Sequence, residues 1–281
     1  ANMKLHVIET GHFKLDGGAM FGVVPKVLWQ KTNPADENNR IDMAMRCLLI
    51  EDGNQLMLID CGLGNKQDEN FLKHYFLTKD VDLHGSLKKK GFSTNDITDV
   101  FLTHLHFDHC GGAIERRNGK LLPTFPKARF WSNADHWQWA TQPNAREKAS
   151  FLEENIEPID SSGQLHLVDS GSASRFPQMN IFFCSGHTEK MMIPMIHYKN
   201  HTVCFMADLL PTVGHIPLPY VMGYDTRPLL TLEEKSEFLT KAAKNKFVLF
   251  FEHDPVVECC TVKETEKGIR LDETFSLSEL G

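Results

Sequence analysis

Short apolar runs that end in polar turns recur along the first half of the chain, and they predict β-strands. The segments 4–10, 45–52 and 54–60 contain valine, isoleucine and leucine closed by acidic or polar residues. The second and third are joined through Asp52-Gly53, a dipeptide that favours tight hairpin turns. The run 96–104 predicts a further, buried strand.

The second half of the chain repeats this pattern. Its apolar runs predict five more strands, at 165–171, 179–186, 191–200, 201–210 and 247–255. Residues 231–246 have a strong helical period, with Thr231 as the expected N-cap and Glu234 three residues on. A polar hairpin is expected at 261–277. Two groups of strands, each followed by helices, indicate an α/β fold with two packed sheets and helices outside, in a single domain of residues 1–281.

Three segments between the strands carry separate expectations. Residues 11–45 are glycine-rich and apolar in patches, and a loop of that length favours a pocket or an interface. Residues 70–91 follow a helical period, and the run Lys88–Lys90 before Gly91 is typical of a solvated helix end. Residues 147–155 predict another helix.

Composition narrows the classes of function. The 281 residues carry a net charge of −7, which disfavours nucleic acid and anionic membranes as partners, because both need a concentrated basic face. Seven cysteines, an odd number without a CxxC pair, argue against a disulfide framework and fit a cytoplasmic protein. We expect no membrane span and no signal peptide, although a leader cleaved from a precursor would leave no trace.

One cluster of polar residues stands out after the strand at 96–104. His104 and His106 lie two apart, so an extended backbone would point both imidazoles the same way, towards one ion. Asp108 and His109 follow in a turn that Gly111-Gly112 allows to be tight, and they can face a second ion. Nitrogen and carboxylate ligands without thiolates suit zinc, manganese or iron.

The remaining ligands must come from other strand ends. Asp60, His187, Asp208 and His253 each follow an apolar run, and open α/β folds place ligands at one such rim. A lone histidine after a strand is more often a satisfied polar residue than a ligand. The histidines given that interpretation are His6, His12, His74, His84, His136, His166, His197 and His201.

The segment THLHFDH, residues 103–109, resembles the His-x-His-x-Asp-His signature of the metallo-β-lactamase superfamily, and Asp60, His187, Asp208 and His253 match its other motifs in order. The resemblance covers about residues 40–256 and implies a four-layer αβ/βα sandwich with two metal ions, zinc in the first place and manganese or iron as alternatives. It implies that the first metal is held by His104, His106 and His187, the second by Asp108, His109 and His253, that Asp208 bridges both, and that Asp60 orients ligands by hydrogen bonds.

Within the superfamily the chain resembles the N-acyl-homoserine lactonases and the methyl-parathion-type hydrolases. In that branch a segment like 11–45 helps to form the pocket and the dimer contact, so a homodimer is expected here. The lactonases have a tyrosine three residues after the bridging aspartate that assists the substrate carbonyl. This chain has Pro211 there, so the assisting role is either vacant or passes to another group, for which His215 and Tyr220 are the candidates.

The expected function is that of a dinuclear metal-dependent hydrolase, in which a metal-bridging hydroxide opens a lactone or cleaves a related ester and Asp108 moves a proton. A phosphotriester or thioester hydrolase with the same site is the alternative, and a metal-binding sensor without turnover is the non-enzyme alternative. The substrate is expected to be a small molecule with an apolar portion. The proposed apolar wall, which could equally pack beneath loops or at a dimer interface, consists of Met20, Phe21, Trp29, Met222 and Tyr224.

Overall fold

The computed structural model describes residues 2–168 and 175–280, and its backbone divides into two compact units. The first unit consists of residues 1–12 and 45–177, and the second of residues 13–44 and 178–281. The strands are β1 (Lys4–Asp16), β2 (Arg40–Asp52), β3 (Gln55–Ile59), β4 (Asp99–Phe101), β5 (Ile114–Arg117), β6 (Lys120–Pro123), β7 (Arg129–Ser132), β8 (Leu165–Leu167), β9 (Met179–Cys184), β10 (Met191–Tyr198), β11 (His201–Phe205), β12 (Val248–Phe250), β13 (Cys259–Thr265) and β14 (Gly268–Phe275). The α-helices are α1 (Gly17–Phe21), α2 (Lys26–Trp29), α3 (Glu69–His74), α4 (Leu83–Lys89), α5 (Phe107–Cys110), α6 (Ala134–Thr141), α7 (Glu153–Ser161) and α8 (Pro228–Asn245).

The first unit contains a six-stranded sheet of order β1-β2-β3-β4-β7-β8 and a small hairpin, β5-β6. Strands β3, β4, β7 and β8 run parallel to one another, and the hairpin β2-β3 turns at Gly53, whose φ is +60°. Parallel strands are covered on both faces, which explains why Val100, Phe101 and Leu102 are consecutive apolar residues. The core of this unit is formed by Leu58, Val100, Phe130 and their neighbours, all of them inaccessible to solvent.

The parallel strands bring two chemically important segments to one edge of this sheet. Asp60 directly follows β3, and the segment that starts at Leu102 follows β4. The Asp60 amide donates to the Phe101 carbonyl at 2.9 Å, which ties the two strand ends together. A side chain at Gly111 would place its Cβ 2.0 Å from the Leu63 carbonyl oxygen, so this close approach of the two loops requires glycine.

The second unit contains a six-stranded sheet of order β14-β13-β12-β11-β10-β9. Strand β9 is antiparallel to β10, β10 is antiparallel to β11, and β11 is parallel to β12. Strands β9, β11 and β12 therefore point the same way, and their carboxyl ends lie at one edge of the sheet. His187, Asp208 and His253 each lie three residues beyond the end of one of these strands.

The expected hairpin near the carboxyl terminus is present as β13-β14, and two six-stranded sheets with helices confirm the predicted α/β class. The strand expected at 165–171 is present as β8, and residues 169–171 lie outside the described residues. Several other boundaries differ from expectation. Strand β1 continues to Asp16, and α1 and α2 occupy part of the expected loop 11–45. The expected helix at 70–91 is two helices, α3 and α4, because the segment between them turns back onto β1 through a hydrogen bond from Thr78 N to His12 O.

The predicted first residue was wrong for two helices. The helix expected at 147–155 starts only at Glu153. Helix α8 begins at Pro228 and not after Thr231, because proline suits the first helical position, where no N–H donor is needed. Glu234 forms no capping box and instead accepts hydrogen bonds from the backbone amides of Ser185 and Gly186, at 2.6 and 2.8 Å.

Candidate metal centre

In the first unit, Asp60 organises the histidines that follow β4. It accepts hydrogen bonds from the Thr103 amide and hydroxyl, both at 2.8 Å, and from His109 Nδ1 at 2.9 Å. The Thr103 hydroxyl gives its single hydrogen to Asp60, so it accepts from His104 Nδ1 at 3.0 Å. Two imidazoles are therefore fixed through one buried carboxylate, which is the contact that the expected orienting role of Asp60 requires.

A second buried carboxylate, which the sequence did not reveal, holds His106. Glu147 accepts from His106 Nε2 at 3.0 Å, and its other oxygen accepts from Trp139 Nε1 and Asn144 Nδ2, at 2.6 and 2.7 Å. Every oxygen of this side chain is engaged, so the imidazole has one fixed orientation with Nδ1 turned to the other side. No motif marks Glu147, since it lies 41 residues from its partner.

In the second unit, Asp208 lies between two histidines. Its Oδ2 is 3.1 Å from His187 Nε2, and its Oδ1 is 3.1 Å from His253 Nε2. The opposite ring nitrogens are held as well: His187 Nδ1 donates to Asp225 Oδ1, and His253 Nδ1 donates to the Ala44 carbonyl, both at 2.7 Å. A carboxylate that meets two imidazoles through its two oxygens has the geometry of a bridging ligand.

All five expected histidine ligands thus share one arrangement. In each, one ring nitrogen donates to an oxygen atom of the protein, which leaves the lone pair of the other nitrogen for a metal. Fixing the tautomer in this way is what outer hydrogen bonds do around protein metal ions. The expected ligands are all buried, and each belongs to a group of ligand-type side chains that could hold a metal ion. The residues therefore fit divalent metal binding in nitrogen–oxygen sites.

The electrostatics of His187 fit the same interpretation. Burial on its own lowers the pKa of this imidazole, but the carboxylates of Asp208 and Asp225 outweigh burial and raise the pKa to about 10. A site that stabilises a proton so strongly between two carboxylates also stabilises a metal cation that replaces the proton. Asp225 was missed from the sequence, because it lies in a loop 38 residues from its partner.

His215 and Tyr220 lie in the loop between β11 and α8, around a cavity that Asp208 and Pro211 also line and that is too small to hold a water molecule. His215 is buried, with Nε2 donating to the Met20 carbonyl at 2.8 Å and Nδ1 accepting from Thr212 Oγ1 at 2.7 Å.

Burial lowers the pKa of His215 to about 3, so its imidazole is neutral under all ordinary conditions. Both of its nitrogens are engaged, whereas Tyr220 is half-buried and packs edge-on against Phe21, with ring centroids 6.3 Å apart.

Most of the expected apolar wall packs beneath the loops. Met20, Phe21, Trp29 and Met222 are buried, and Phe21 stacks on both Trp29 and His215, with centroids 5.3 and 4.2 Å apart. Tyr224 alone of the five is exposed, at 40%.

The cysteines are all free and buried. Burial raises the pKa of the Cys110 thiol to about 12, and its sulfur donates to the Leu105 carbonyl, so Cys110 is a packing residue and not a nucleophile.

Residues 46–253 match the family model of the metallo-beta-lactamase superfamily. The chain belongs to this superfamily. It is 21% identical to an N-acyl homoserine lactonase of Bacillus cereus over 281 aligned positions, which cover 95% of this chain and 96% of that protein. A metal-dependent hydrolase of the metallo-β-lactamase fold is therefore established, as the resemblance implied.

Solved structures agree with this assignment. A probable metal-dependent hydrolase from Staphylococcus aureus superimposes with a TM-score of 0.87 at 28% identity, covering 98% of this chain and 97% of its own. AidC, a dizinc quorum-quenching lactonase in complex with a product, superimposes with a TM-score of 0.80 at 23% identity, covering 97% and 95%. Within the described residues, no helix is long and apolar enough to cross a membrane.

Proposed function

We propose that the chain is a dinuclear metallohydrolase that opens lactones of the N-acyl-homoserine type or cleaves related carboxylic esters. The observation that carries this proposal is the fixed tautomer of five buried histidines, combined with full-length similarity to a lactonase.

In this proposal, His104, His106 and His187 hold one divalent cation, Asp108, His109 and His253 hold the other, and Asp208 contacts both. The bound cations, zinc in the first place, supply the acidity that makes water nucleophilic near neutral pH and polarise the substrate carbonyl.

The protein's own residues have the remaining tasks. Asp108 takes up a proton during attack and returns it to the leaving oxygen, a task for a carboxylate beside the reacting atoms. Its Oδ2 lies 3.2 Å from His109 Nε2, so it already forms part of the ligand cluster of the first unit.

Tyr220 is the better candidate to assist the carbonyl in place of the missing tyrosine at Pro211. His215 has no free nitrogen to offer a substrate, because Thr212 and Met20 engage both. Tyr220 lines the same small cavity as Asp208, and its phenol could donate to a developing oxyanion once a substrate is bound.

The test is proton release from N-hexanoyl-homoserine lactone by the zinc-loaded protein, followed in a pH-stat. His106→Ala should abolish release, and His197→Ala should leave it unchanged, because His197 is exposed and lies on β10, away from every ligand. Release that is equal in both variants would contradict the proposed site. Turnover of a phosphotriester or thioester without lactone opening would support the same site and replace the substrate class.

A further inference from the structure

The buried face of α8 contains a lysine, Lys235, at a position where an apolar residue is expected. The side chains that α8 buries are Thr231, Lys235, Phe238, Leu239 and Ala242. Lys235 is only 1% exposed. A buried ammonium is costly unless it is hydrogen-bonded, so its partners identify its task.

Those partners are four backbone carbonyls of one loop. Lys235 Nζ lies 2.8 Å from His215 O, 3.1 Å from Pro217 O, 3.2 Å from Leu218 O and 3.1 Å from Tyr220 O. An ammonium has three N–H groups, so its three donors serve four carbonyl oxygens, which surround the nitrogen as they would surround a bound cation. The loop closes around a single charged atom.

The sequence of this loop explains why it needs such support. Pro217 and Pro219 have no backbone N–H, so the turn cannot hold itself by a regular hydrogen-bond pattern. Its own backbone contributes Tyr220 N to Pro217 O and Val221 N to Pro219 O, both at 2.9 Å. The carbonyls of His215, Leu218 and Tyr220 accept from Lys235, and the Pro217 carbonyl accepts from both Tyr220 N and Lys235.

We infer that Lys235 is a positioning residue, whose ammonium fixes the 215–220 turn and thereby the place of Tyr220, which lines the same small cavity as Asp208. This inference rests on the proposed function for its catalytic consequence. Its structural part rests only on the four carbonyl contacts and the shared cavity lining.

The first experiment is hydrogen–deuterium exchange of Lys235→Met against Lys241→Met. Lys241 lies on the same helix but is 56% exposed, so the control matches the chemical change without the buried contacts. Lys235→Met should raise deuterium uptake within residues 213–225 and leave α8 and the metal content unchanged. Unchanged uptake in 213–225, or a rise spread over all of α8, would overturn the inference.

The second experiment tests whether Lys235 acts through Tyr220. We expect Lys235→Met to lower kcat, measured per bound metal pair, by about 100-fold, because a misplacement of a catalytic group by about 1 Å can reduce a rate by that factor. In a Tyr220→Phe background, the same substitution should have little effect on kcat. Equal losses in both backgrounds would show a merely structural role and overturn the inference.

If Lys235→Met does not fold, Lys235→Arg replaces it in both experiments. Arginine keeps the charge, but its planar guanidinium group cannot donate to four oxygens that converge on one point, so we expect effects smaller than those of Lys235→Met. Deuterium uptake and kcat equal to those of the wild-type protein would contradict the inference. If the wild-type protein opens no lactone or ester, the proposed function fails, and the exchange comparison still decides whether Lys235 holds the turn.

Discussion

The two units prepare their ligand-type residues in different ways. In the first unit, four of them lie within six consecutive residues after β4, so one strand end and one tight turn position the set. In the second unit, three of them come from three strands, each three residues beyond a strand end, and the spacing between them along the chain exceeds 20 residues. The first set is therefore visible as a local motif, whereas the second depends on the order and direction of strands.

The carboxylates at the centre of the two sets, Asp60 and Asp208, also contact their histidines in different ways. Asp60 orients His109 from behind and, through Thr103, also His104, while Asp208 meets two imidazoles directly. Loss of Asp208 should therefore be the more damaging change.

The largest expected effect is that of Asp208→Ala. Removal of a carboxylate shared by two imidazoles should reduce bound metal below one ion per chain. It should also lower kcat/KM by at least about 1,000-fold, since the metals supply several kcal/mol of transition-state stabilisation. Metal analysis after gel filtration and initial rates measure the two effects. Two retained ions in the variant would contradict the bridging role.

The next expected effect compares the outer carboxylates of the two units. Glu147→Gln and Asp225→Asn should each weaken metal binding or activity by about 10–100-fold, the usual range for residues that orient metal ligands. Chelator competition measures the affinity. Asp80→Asn serves as the control, because Asp80 is 61% exposed and pairs only with surface groups. An outer-carboxylate variant with the affinity of Asp80→Asn would show that orientation of the histidine is unimportant there.

A third prediction concerns pH and the imidazole of His187. Its folded pKa of about 10 is above the ordinary value of 6.5. The corresponding stabilisation of the metal-free protein is therefore fully present below pH 6.5 and is lost as pH rises through 10. Zinc binding near pH 8 should release the His187 proton. Calorimetry in buffers of different ionisation enthalpy measures that release, and Asp225→Asn should reduce it.

The smallest expected effect lies away from both ligand sets. Asp82 caps α4 by accepting from the Gly85 amide at 2.7 Å. Asp82→Ala should cost about 1 kcal/mol of unfolding free energy, typical of a lost N-cap. Thermal unfolding measures the loss, and metal content should stay at the wild-type value. A fall in metal content would mean that α4 supports the ligands of the first unit.

The fold class and the seven ligand candidates could be predicted from the sequence, because both depend on short-range patterns. Strand ends followed by histidine or aspartate are legible in the chain, and the superfamily signature at 103–109 adds their order. Element boundaries were less accurate, as in α8, where Pro228 at the first helical position prevailed over the expected cap at Thr231. The ligand roles and a single domain of residues 1–281 stay predictions.

The sequence alone determined that His104, His106, Asp108 and His109 would lie together, because neighbours in a strand and turn cannot lie far apart. Only the tertiary structure decided which oxygen holds each imidazole. Glu147, Asp225 and Lys235 act on partners 15 to 41 residues away along the chain. Such pairs follow from how the strands and loops pack, and packing over these distances leaves no periodic pattern in the sequence.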